Sequence, residues 1–365
     1  MGVSHTSGSA MIPATMKAVV LRGHGGFEQL DYCDVPVPKP ASGEVLVKVG
    51  AAGVNNTDIN VRVGWYSRAV AGSTSAAAGR RESTVDGGWS GDAFEFPRIQ
   101  GADACGRIVA VGEGVAATRI GERVLVDPVL RAADGSLRGV GYLGAERDGA
   151  FAGYVAVPDE NACAIASELE DIELASFPCA CSAAANMIAR ADVCAGETVL
   201  VTGASGGVGS AAVQLACCRG ARVIAVTTAA KTAQVIALGA AATLERADDP
   251  VAALGRESID VVVDVVGGAG FASLLEVLRR GGRYAVAGAI AGPIVALDLR
   301  TVYLKDLRLL GCTVTPRSVF TELVRLIEHG RIRPTVSATF PLSQIAAAQS
   351  LFLEKRHTGK IVLVP

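Results

Sequence analysis

The stretch that decides the fold is VLVTGASGGVGSAAVQLA, residues 199–216. It opens with an apolar, β-branched run, passes through four glycines in seven residues, and leaves with small residues that suit a helix. A strand, a tight turn and a helix N-terminus in this order let the backbone approach a pyrophosphate and offer free N–H groups to it. The pattern predicts a dinucleotide-binding turn made of Gly203, Ser205, Gly206, Gly207, Val208 and Gly209.

Short apolar runs alternate with helical patterns through the second half of the chain. From about residue 197 the candidate strands are TVLVTG, ARVIAVT, IDVVVDVV, GRYAVAGA and LRLLGCT, separated by stretches such as FASLLEVLRR. Continuous apolar strands are expected where helices cover both faces of a parallel sheet. We therefore predict a doubly wound α/β domain of the Rossmann type over residues 166–330, built on the glycine turn.

The first half of the chain has a different pattern of apolar residues. Valine-rich runs such as MKAVVLR, GEVLVKVGAAG and CGRIVAVG are broken by glycine and proline, which is typical of a barrel-like β domain. We predict this domain over residues 16–165, with 331–365 returning to it. A Gly-, Ser- and Ala-rich insert at 67–96 has the length of a functional or a disordered loop. Residues 1–15 are predicted to be a disordered leader.

Composition and charge exclude several classes of function. The 365 residues carry a formal net charge of −2 and contain no dense cluster of lysine and arginine, so nucleic acid and anionic membranes are not expected as partners. Every apolar run is shorter than a membrane span. The nine cysteines are scattered and form no CxxC pair, which indicates the reduced thiols of a cytoplasmic protein.

The end of the second α/β strand indicates which nicotinamide cofactor the turn suits. An NAD site usually has a carboxylate there, about 20 residues after the glycines, to accept from the ribose hydroxyls. Here the strand ends VIAVTTAAK, which offers Thr227, Thr228 and Lys231 and no carboxylate. Two hydroxyls and an ammonium suit the 2′-phosphate of NADPH. The alternative, that Lys231 is a solvated lysine in the first turn of a helix, stays open.

Segments along Met16–Pro365 resemble the medium-chain dehydrogenase/reductase superfamily, and within it the zinc-free, quinone-oxidoreductase-like branch. They are AAGVNNTDINVRVGWY, FPRIQGADACGRIVAVGEGV, GERVLV, the glycine turn and GKIVLV. The resemblance implies a GroES-like catalytic domain joined to the Rossmann domain. It also implies a homodimer through the Rossmann sheets, for which VALDLRTVYLKDLRLLG holds an edge strand. The further cofactor contacts that it implies are Val266, Gly267, Gly288, Ala289, Gly311, Cys312, Thr313 and Lys360.

The same resemblance bears on zinc. Zinc enzymes of the superfamily carry a cysteine ligand where this chain has Asn55, and a His-Glu pair where it has Ala102-Asp103. The third ligand aligns with Cys179, and one thiolate cannot make a three-ligand catalytic site. No cysteine lies in 67–104 to form a structural zinc lobe. We therefore predict no bound metal, and we interpret Cys179 as a buried small thiol rather than a nucleophile.

Without a Lewis acid, hydride addition to a conjugated acceptor is favoured over reduction of an isolated carbonyl. Tyr66 stands where related enoyl-thioester reductases carry a tyrosine regarded as the proton donor, and we assign Asn55 to the substrate oxygen. The predicted substrate pocket contains Trp65, Arg62, Trp89 and Tyr142. Two structural alternatives remain open: Tyr66 only closes an apolar wall, and Asp58 pairs with Arg62 along a helix.

The sequence thus predicts zinc-independent, NADPH-dependent reduction of a quinone or an α,β-unsaturated carbonyl compound. One alternative is a zinc-free carbonyl reductase or alcohol dehydrogenase. Another is an NADPH-binding sensor or structural protein whose catalysis is vestigial. Comparing an enone with its saturated ketone distinguishes the first alternative, and cofactor binding without turnover identifies the second.

Overall fold

The chain forms two units, one built on antiparallel strands and one on a parallel sheet. The computed structural model describes residues 11–77, 86–132, 134 and 136–365, so most of the predicted leader and residues 78–85 of the insert lie outside the described part. The strands are β1 (Thr15–Leu21), β2 (Leu30–Pro36), β3 (Glu44–Val54), β4 (Arg98–Ile99), β5 (Cys105–Val111), β6 (Arg123–Val126), β7 (Val129–Leu130), β8 (Gly141–Tyr142), β9 (Tyr154–Pro158), β10 (Ala162–Ala164), β11 (Thr198–Val201), β12 (Arg222–Thr227), β13 (Ala242–Glu245), β14 (Ile259–Asp264), β15 (Leu278–Val286), β16 (Arg308–Gly311), β17 (Val336–Pro341) and β18 (Lys360–Val364). The α-helices are α1 (Asn56–Arg62), α2 (Thr74–Ala77), α3 (Asp171–Leu174), α4 (Pro178–Arg190), α5 (Gly207–Cys218), α6 (Thr232–Ala237), α7 (Pro250–Leu254), α8 (Phe271–Val277), α9 (Leu299–Leu304), α10 (Arg317–Glu328) and α11 (Ile345–Leu353).

The parallel sheet has the strand order β13-β12-β11-β14-β15-β16, with every neighbouring pair parallel. Alternate residues of β11 pack into two hydrophobic cores, one on each face of the parallel sheet. Val199 and Val201 pack with α4 and α5, whereas Leu200 packs with residues of α8. Because helices cover both faces, the strand is buried throughout and reads as a continuous apolar run. This is the doubly wound order of a dinucleotide-binding domain, as the glycine turn predicts.

The antiparallel unit is completed by the end of the chain. Its main sheet has the order β10-β6-β5-β3-β18-β17, and β9 pairs with part of β3. Strand β18 lies antiparallel to β3, with Ile361 opposite Val54, and parallel to β17 on its other side. Residues 360–364 therefore lie between β17 and β3, a strand that begins more than 300 positions earlier at Glu44. This places Lys360, the first residue of β18, beside the end of β3.

The glycine turn has the geometry that its sequence requires. Gly203 has a φ of +57°, which lies in the left-handed region that favours glycine. A Cβ atom on Gly209 would lie 2.2 Å from the carbonyl oxygen of Gly203, so the first turn of α5 packs directly on the strand end. Helix α5 begins at Gly207, and no side chain caps its N-terminus. Its first N–H groups lack intrahelical acceptors and point away from the helix.

No helix in the described residues is both long enough and apolar enough to cross a membrane.

Candidate active site

The strands of the parallel sheet all end at one edge, and the predicted cofactor residues lie along it. The N–H groups of Val266 and Gly267 donate to the carboxylate of Asp264 at the end of β14. A Cβ atom on Gly267 would lie 3.1 Å from the Cβ of Ala289, so the loops after β14 and β15 touch. The N–H of Cys312 donates to Val286 at 2.9 Å, which brings the end of β16 alongside.

Lys231, which follows the end of β12, contacts the loop between α11 and β18. Its ammonium donates to the carbonyl oxygens of Lys355 at 2.8 Å and His357 at 2.6 Å. Burial, and then the positive charge of Arg246, lower the pKa of Lys231. Burial and the charge of Lys231 lower the pKa of Lys355 to about 8. Lys231 is therefore not the free, solvated lysine of the alternative interpretation.

Two buried polar atoms near this point have no hydrogen-bond partner among the described residues. They are the hydroxyl oxygen of Thr227, at the end of β12, and Nδ1 of His357. Burial and the nearby lysines lower the pKa of His357 to about 4, so the ring is neutral at neutral pH. Buried polar atoms in native proteins are almost always satisfied, so partnerless ones indicate a place for a ligand or water.

A buried polar cluster connects the cofactor edge to the antiparallel unit. The ammonium of Lys360 donates to Asp103 Oδ2 at 2.7 Å, to the carbonyl oxygen of Val54 at 3.0 Å, and to Asn55 Oδ1. The other carboxylate oxygen of Asp103 accepts the N–H of Cys179 at 2.5 Å. The side chains of Lys360 and Asp103 are only 4% and 0% exposed. The methylene groups of Lys360 reach this cluster by passing the glycine turn, since a Cβ on Gly207 would lie 2.9 Å from its Cδ.

The structure corrects the role predicted for Asn55. Its Nδ2 donates to Asp103 at 2.8 Å and to the carbonyl oxygen of Gly53 at 3.2 Å, and its Oδ1 accepts from Lys360. Both amide hydrogens are therefore used inside the protein. Asn55 holds the cluster together and has no hydrogen left for a substrate oxygen.

Tyr66, Trp89 and Tyr142 lie together around Cys179 in one apolar cluster. The Tyr66 hydroxyl donates to Thr57 Oγ1 at 3.1 Å, and burial raises its pKa to about 12. The Tyr142 hydroxyl donates to the sulfur of Cys179 at 3.2 Å, and Trp89 stacks on the Tyr142 ring at 4.6 Å. Both phenols thus stay protonated at neutral pH. They differ in their acceptors: Thr57, which accepts from Tyr66, is half-buried, whereas Cys179 is buried.

Arg62 and Trp65 have other neighbours. The Arg62 guanidinium is fully buried, donates to Gln349 and to the carbonyl oxygen of Gly25, and lies 4.7 Å from the Phe27 ring. These bonds tie α1 to α11 and to Gly25, and none of these neighbours belongs to the apolar cluster of Tyr66, Trp89 and Tyr142, so the structure does not place Arg62 in the predicted substrate pocket. Trp65 stays beside Tyr66, at a ring distance of 5.7 Å, and its indole N–H donates to Gly72 of the insert.

The predicted alternative pairing of Asp58 with Arg62 is also wrong. Asp58 accepts the N–H of Asn55 at 2.8 Å and caps α1, while Arg62 has the partners given above. Burial raises the pKa of Asp58 to about 7.

Comparison with known proteins places this arrangement in a family. Residues 41–167 match a family model described as an alcohol dehydrogenase GroES-like domain, and residues 238–363 match one described as a zinc-binding dehydrogenase. The acryloyl-coenzyme A reductase of Metallosphaera sedula is 32% identical, over 95% of this chain and 99% of its own. The chain belongs to the medium-chain dehydrogenase/reductase superfamily. This confirms the predicted resemblance and the fold class, a GroES-like domain plus a Rossmann-type parallel sheet.

Two further members are similar over nearly the whole chain. A solved structure from Sinorhizobium meliloti, provisionally named an alcohol dehydrogenase, is 50% identical, with a TM-score of 0.88, over 97% of this chain and 98% of that one. The NADPH-dependent alkenal/one oxidoreductase of Arabidopsis thaliana is 28% identical over 99% of this chain and 82% of its own. The chain is thus an oxidoreductase of this superfamily, whose members bind a nicotinamide cofactor.

Sequence reasoning missed several residues that the structure brings to the candidate site. Asp103 was noted only as a replacement for a metal-binding pair, and Thr57, Asn60 and Lys355 were not singled out. The segment NNTDIN already contained two of them, at the start of a short helix. Thr57 and Asn60 bond to side chains 9 and 14 positions away, whereas Asp103 and Lys355 meet Lys360 and Lys231 across 257 and 124 positions.

The described residues contain no group of three or more His, Cys, Asp and Glu side chains arranged to hold a metal ion.

Proposed function

We propose that the protein is a zinc-independent, NADPH-dependent reductase of a quinone or an α,β-unsaturated carbonyl compound. The observation that carries this proposal is the Lys360 ammonium, which bonds to Asn55 and Asp103 where zinc members of the superfamily keep their ligands. Asn55 is an amide, Asp103 is already paired, and burial raises the pKa of the Cys179 thiol. This donor set does not fit zinc, which needs three free protein ligands.

The residues at the cofactor edge fit a phosphorylated dinucleotide. Helix α5 offers uncapped N–H groups at Gly207, which suit a pyrophosphate. Thr227 supplies a buried hydroxyl that has no partner among the described residues, and the ammonium of Lys231 keeps one N–H beyond its two carbonyl acceptors. NADPH bound there supplies a hydride.

The cluster around Cys179 fits a flat, conjugated acceptor. The aromatic rings of Trp89, Tyr142 and Tyr66 belong to one apolar cluster, and the Tyr66 hydroxyl keeps its proton at neutral pH. Hydride addition to the β-carbon moves the π-electron pair toward the carbonyl oxygen and leaves an enolate. The Tyr66 O–H then turns from Thr57 Oγ1 to the substrate and gives up its proton, the O–H bond breaks, and the phenolate recovers a proton from water. The acryloyl-coenzyme A and alkenal/one reductases among the relatives favour a conjugated acceptor.

The experiment that tests the proposal is NADPH oxidation by EDTA-treated protein against quinones, enones, an enoyl thioester and the matching saturated ketones. We expect turnover of the conjugated acceptors, unaffected by EDTA, and none of the saturated ketones. Reduction of the saturated ketones at a similar rate would replace the proposal with a carbonyl reductase. NADPH binding without any turnover would replace it with a sensor.

The preference for NADPH predicts a selective effect of Lys231→Ala. Removing this ammonium deletes a charge-assisted bond to the 2′-phosphate, so the affinity for NADPH should fall about tenfold, or roughly 1.4 kcal/mol. NADH lacks this phosphate, and its affinity should be unchanged. Fluorescence titration with both cofactors measures the ratio. The control is Lys48→Ala, an exposed lysine on β3 that should alter neither value. An equal loss for both cofactors would contradict the assignment.

The outer edge of the parallel sheet predicts a homodimer. In the part of the chain that the structure describes, strand β16 pairs only with β15, and seven of the thirteen exposed large apolar side chains lie between 294 and 309. An open edge beside an apolar patch favours pairing with a second copy. Leu309→Lys should convert a dimer into a monomer in light scattering, whereas Leu137→Lys, at a distant exposed leucine, should not. A monomeric wild-type protein would refute this prediction.

A further inference from the structure

The end of β16 and the residues after it border both predicted sites. Residues 311–313 are predicted cofactor contacts, and the N–H of Cys312 donates to the carbonyl oxygen of Val286 in the neighbouring strand at 2.9 Å. Val314 is half-buried and packs against the apolar cluster around Cys179, which is the proposed acceptor pocket. The sheet therefore fixes the cofactor part of this segment, whereas Val314 lies past the last of these hydrogen bonds.

Side chains hold the backbone of the next two residues. Nε and Nη2 of Arg131 both donate to the carbonyl oxygen of Thr315, the first at 3.2 Å. Nη2 of Arg190, on α4, donates to the carbonyl oxygen of Val314 at 3.2 Å. Thr315 is buried, and its hydroxyl donates to the carbonyl oxygen of Ser182 at 3.3 Å. The position of Val314 thus depends on these side chains.

Arg131 belongs to the antiparallel unit, on the side of the pocket that carries Tyr142. It directly follows β7, whose Val129 lies opposite Tyr142 of β8 in an antiparallel pair. Nη1 of the same guanidinium lies 2.8 Å from Oδ2 of Asp127 and donates to the carbonyl oxygen of Val129 at 3.2 Å. The side chains of Arg131 and Asp127 are only 15% and 1% exposed. One guanidinium thus joins the strand pair that carries Tyr142 to the segment that carries Val314.

We propose that Arg131 is a specificity-determining residue, which sets the width of the acceptor pocket by fixing Val314 relative to Tyr142. All three of its nitrogens bond to protein groups, so it acts through the backbone of Thr315 as a positioning residue. An arginine suits this role because its planar fork binds two partners in a fixed geometry. The inference rests on the proposed function, since it takes the cluster around Cys179 as the acceptor pocket.

The first readout is the discrimination between a methyl-substituted and a phenyl-substituted enone, given by the ratio of their kcat/KM values with NADPH. Arg131→Lys keeps a cation beside Asp127 and removes the second branch, which reaches Thr315. One methylene group in an apolar pocket is worth about 10–200-fold in discrimination, so a loosened wall should bring the ratio about tenfold closer to one. The KM for NADPH should not change, because the sheet holds residues 311–313.

A second variant guards against a loss of folding. Arg131→Met combined with Asp127→Asn removes the guanidinium without leaving a buried carboxylate unpaired, and it should lower the discrimination as Arg131→Lys does. The matched control is Arg119→Lys. Arg119 is 18% exposed, pairs with Glu122 at 2.8 Å and donates to the carbonyl oxygen of Ala162, all within the antiparallel unit. A ratio of two rates does not depend on the folded fraction, so a merely structural role would leave it unchanged.

The second readout needs no acceptor. Trp65→Phe leaves Trp89 as the one tryptophan of the chain, and its ring stacks on Tyr142 at 4.6 Å. In that background Arg131→Lys should raise the constant for quenching of Trp89 fluorescence by acrylamide, because the wall facing Tyr142 is loosened. Arg119→Lys should leave this constant unchanged.

An unchanged enone ratio in both Arg131 variants would overturn the inference. So would an equal change in Arg119→Lys, or a wild-type protein that reduces the two enones equally well. A wild-type protein that reduces no conjugated acceptor would refute the proposed function instead. In that case the quenching of Trp89 still shows whether Arg131 holds the wall, so the two failures are distinguishable.

Discussion

Replacing Lys360 by methionine should lower the free energy of unfolding by about 3–5 kcal/mol, the usual cost of leaving one member of a buried ion pair without its partner. Methionine keeps the aliphatic length that passes Gly207 and removes only the ammonium. The carboxylate of Asp103 would then keep two neutral donors, Asn55 Nδ2 and the N–H of Cys179, with no opposite charge. Urea unfolding followed by tryptophan fluorescence measures the loss, since both tryptophans, Trp65 and Trp89, lie in the antiparallel unit.

A double-mutant cycle separates the pair from its surroundings. Adding Asp103→Asn to Lys360→Met removes the stranded charge, so the double variant should be more stable than Lys360→Met alone. The matched control is the pair of Lys17 and Asp34, which has the same 2.7 Å separation but side chains that are 51% and 62% exposed. Lys17→Met should leave the urea midpoint unchanged, because surface pairs contribute little. A similar small effect of Lys360→Met would show that Asp103 needs no counter-charge.

Tyr66→Phe should lower kcat for a conjugated acceptor by about 10²-fold or more, because it removes the proposed general acid and leaves the ring in place. The affinity for NADPH should stay within error. Since burial holds the pKa of Tyr66 at about 12, the hydroxyl is protonated across the neutral range. Its ionisation should therefore not appear as an alkaline limb in the pH profile near neutrality.

The control for this variant is Tyr142→Phe, which removes a second buried phenol from the same apolar cluster. The Tyr142 hydroxyl donates to the sulfur of the buried Cys179 rather than to a half-buried residue such as Thr57, so its loss should change kcat by only a small factor. If Tyr142→Phe lowered kcat as much as Tyr66→Phe, the loss of activity could no longer be assigned to Tyr66 as the proton donor. If neither variant lost activity, water would be the proton source.

Most strands of the parallel sheet could be predicted from the sequence, because each is marked by a pattern of residues that are neighbours in the chain. Short apolar runs, with a glycine turn between the first strand and a helix, identify five of its six strands. The missing strand is β13, Ala242–Glu245, which is four residues long and contains a threonine and a glutamate. A short edge strand with polar residues has no continuous apolar run, so the pattern gives no signal there.

The polar cluster of the site could not be predicted from the sequence, because its residues are distant in the chain and come together only in the folded protein. Asp103 and Lys360 are separated by 257 positions, and their contact depends on β18 lying beside β3. The same holds for Lys231, whose ammonium reaches carbonyl oxygens 124 and 126 positions away. A sequence indicates residue types that suit a phosphate or a substrate, but it does not indicate which donors are already used. Asn55 and Arg62 were misassigned for that reason.

The place of β18 sets the order in which the molecule is finished during its synthesis. All six strands of the parallel sheet lie between residues 198 and 311, so that unit has its whole sheet before the final strand leaves the ribosome. The antiparallel unit begins earlier in the chain. Its sheet nevertheless stays incomplete until residues 360–364 have been synthesised and can insert between β3 and β17. The part that begins the chain is therefore the last to close, and the strand that closes it also delivers the cation for Asp103.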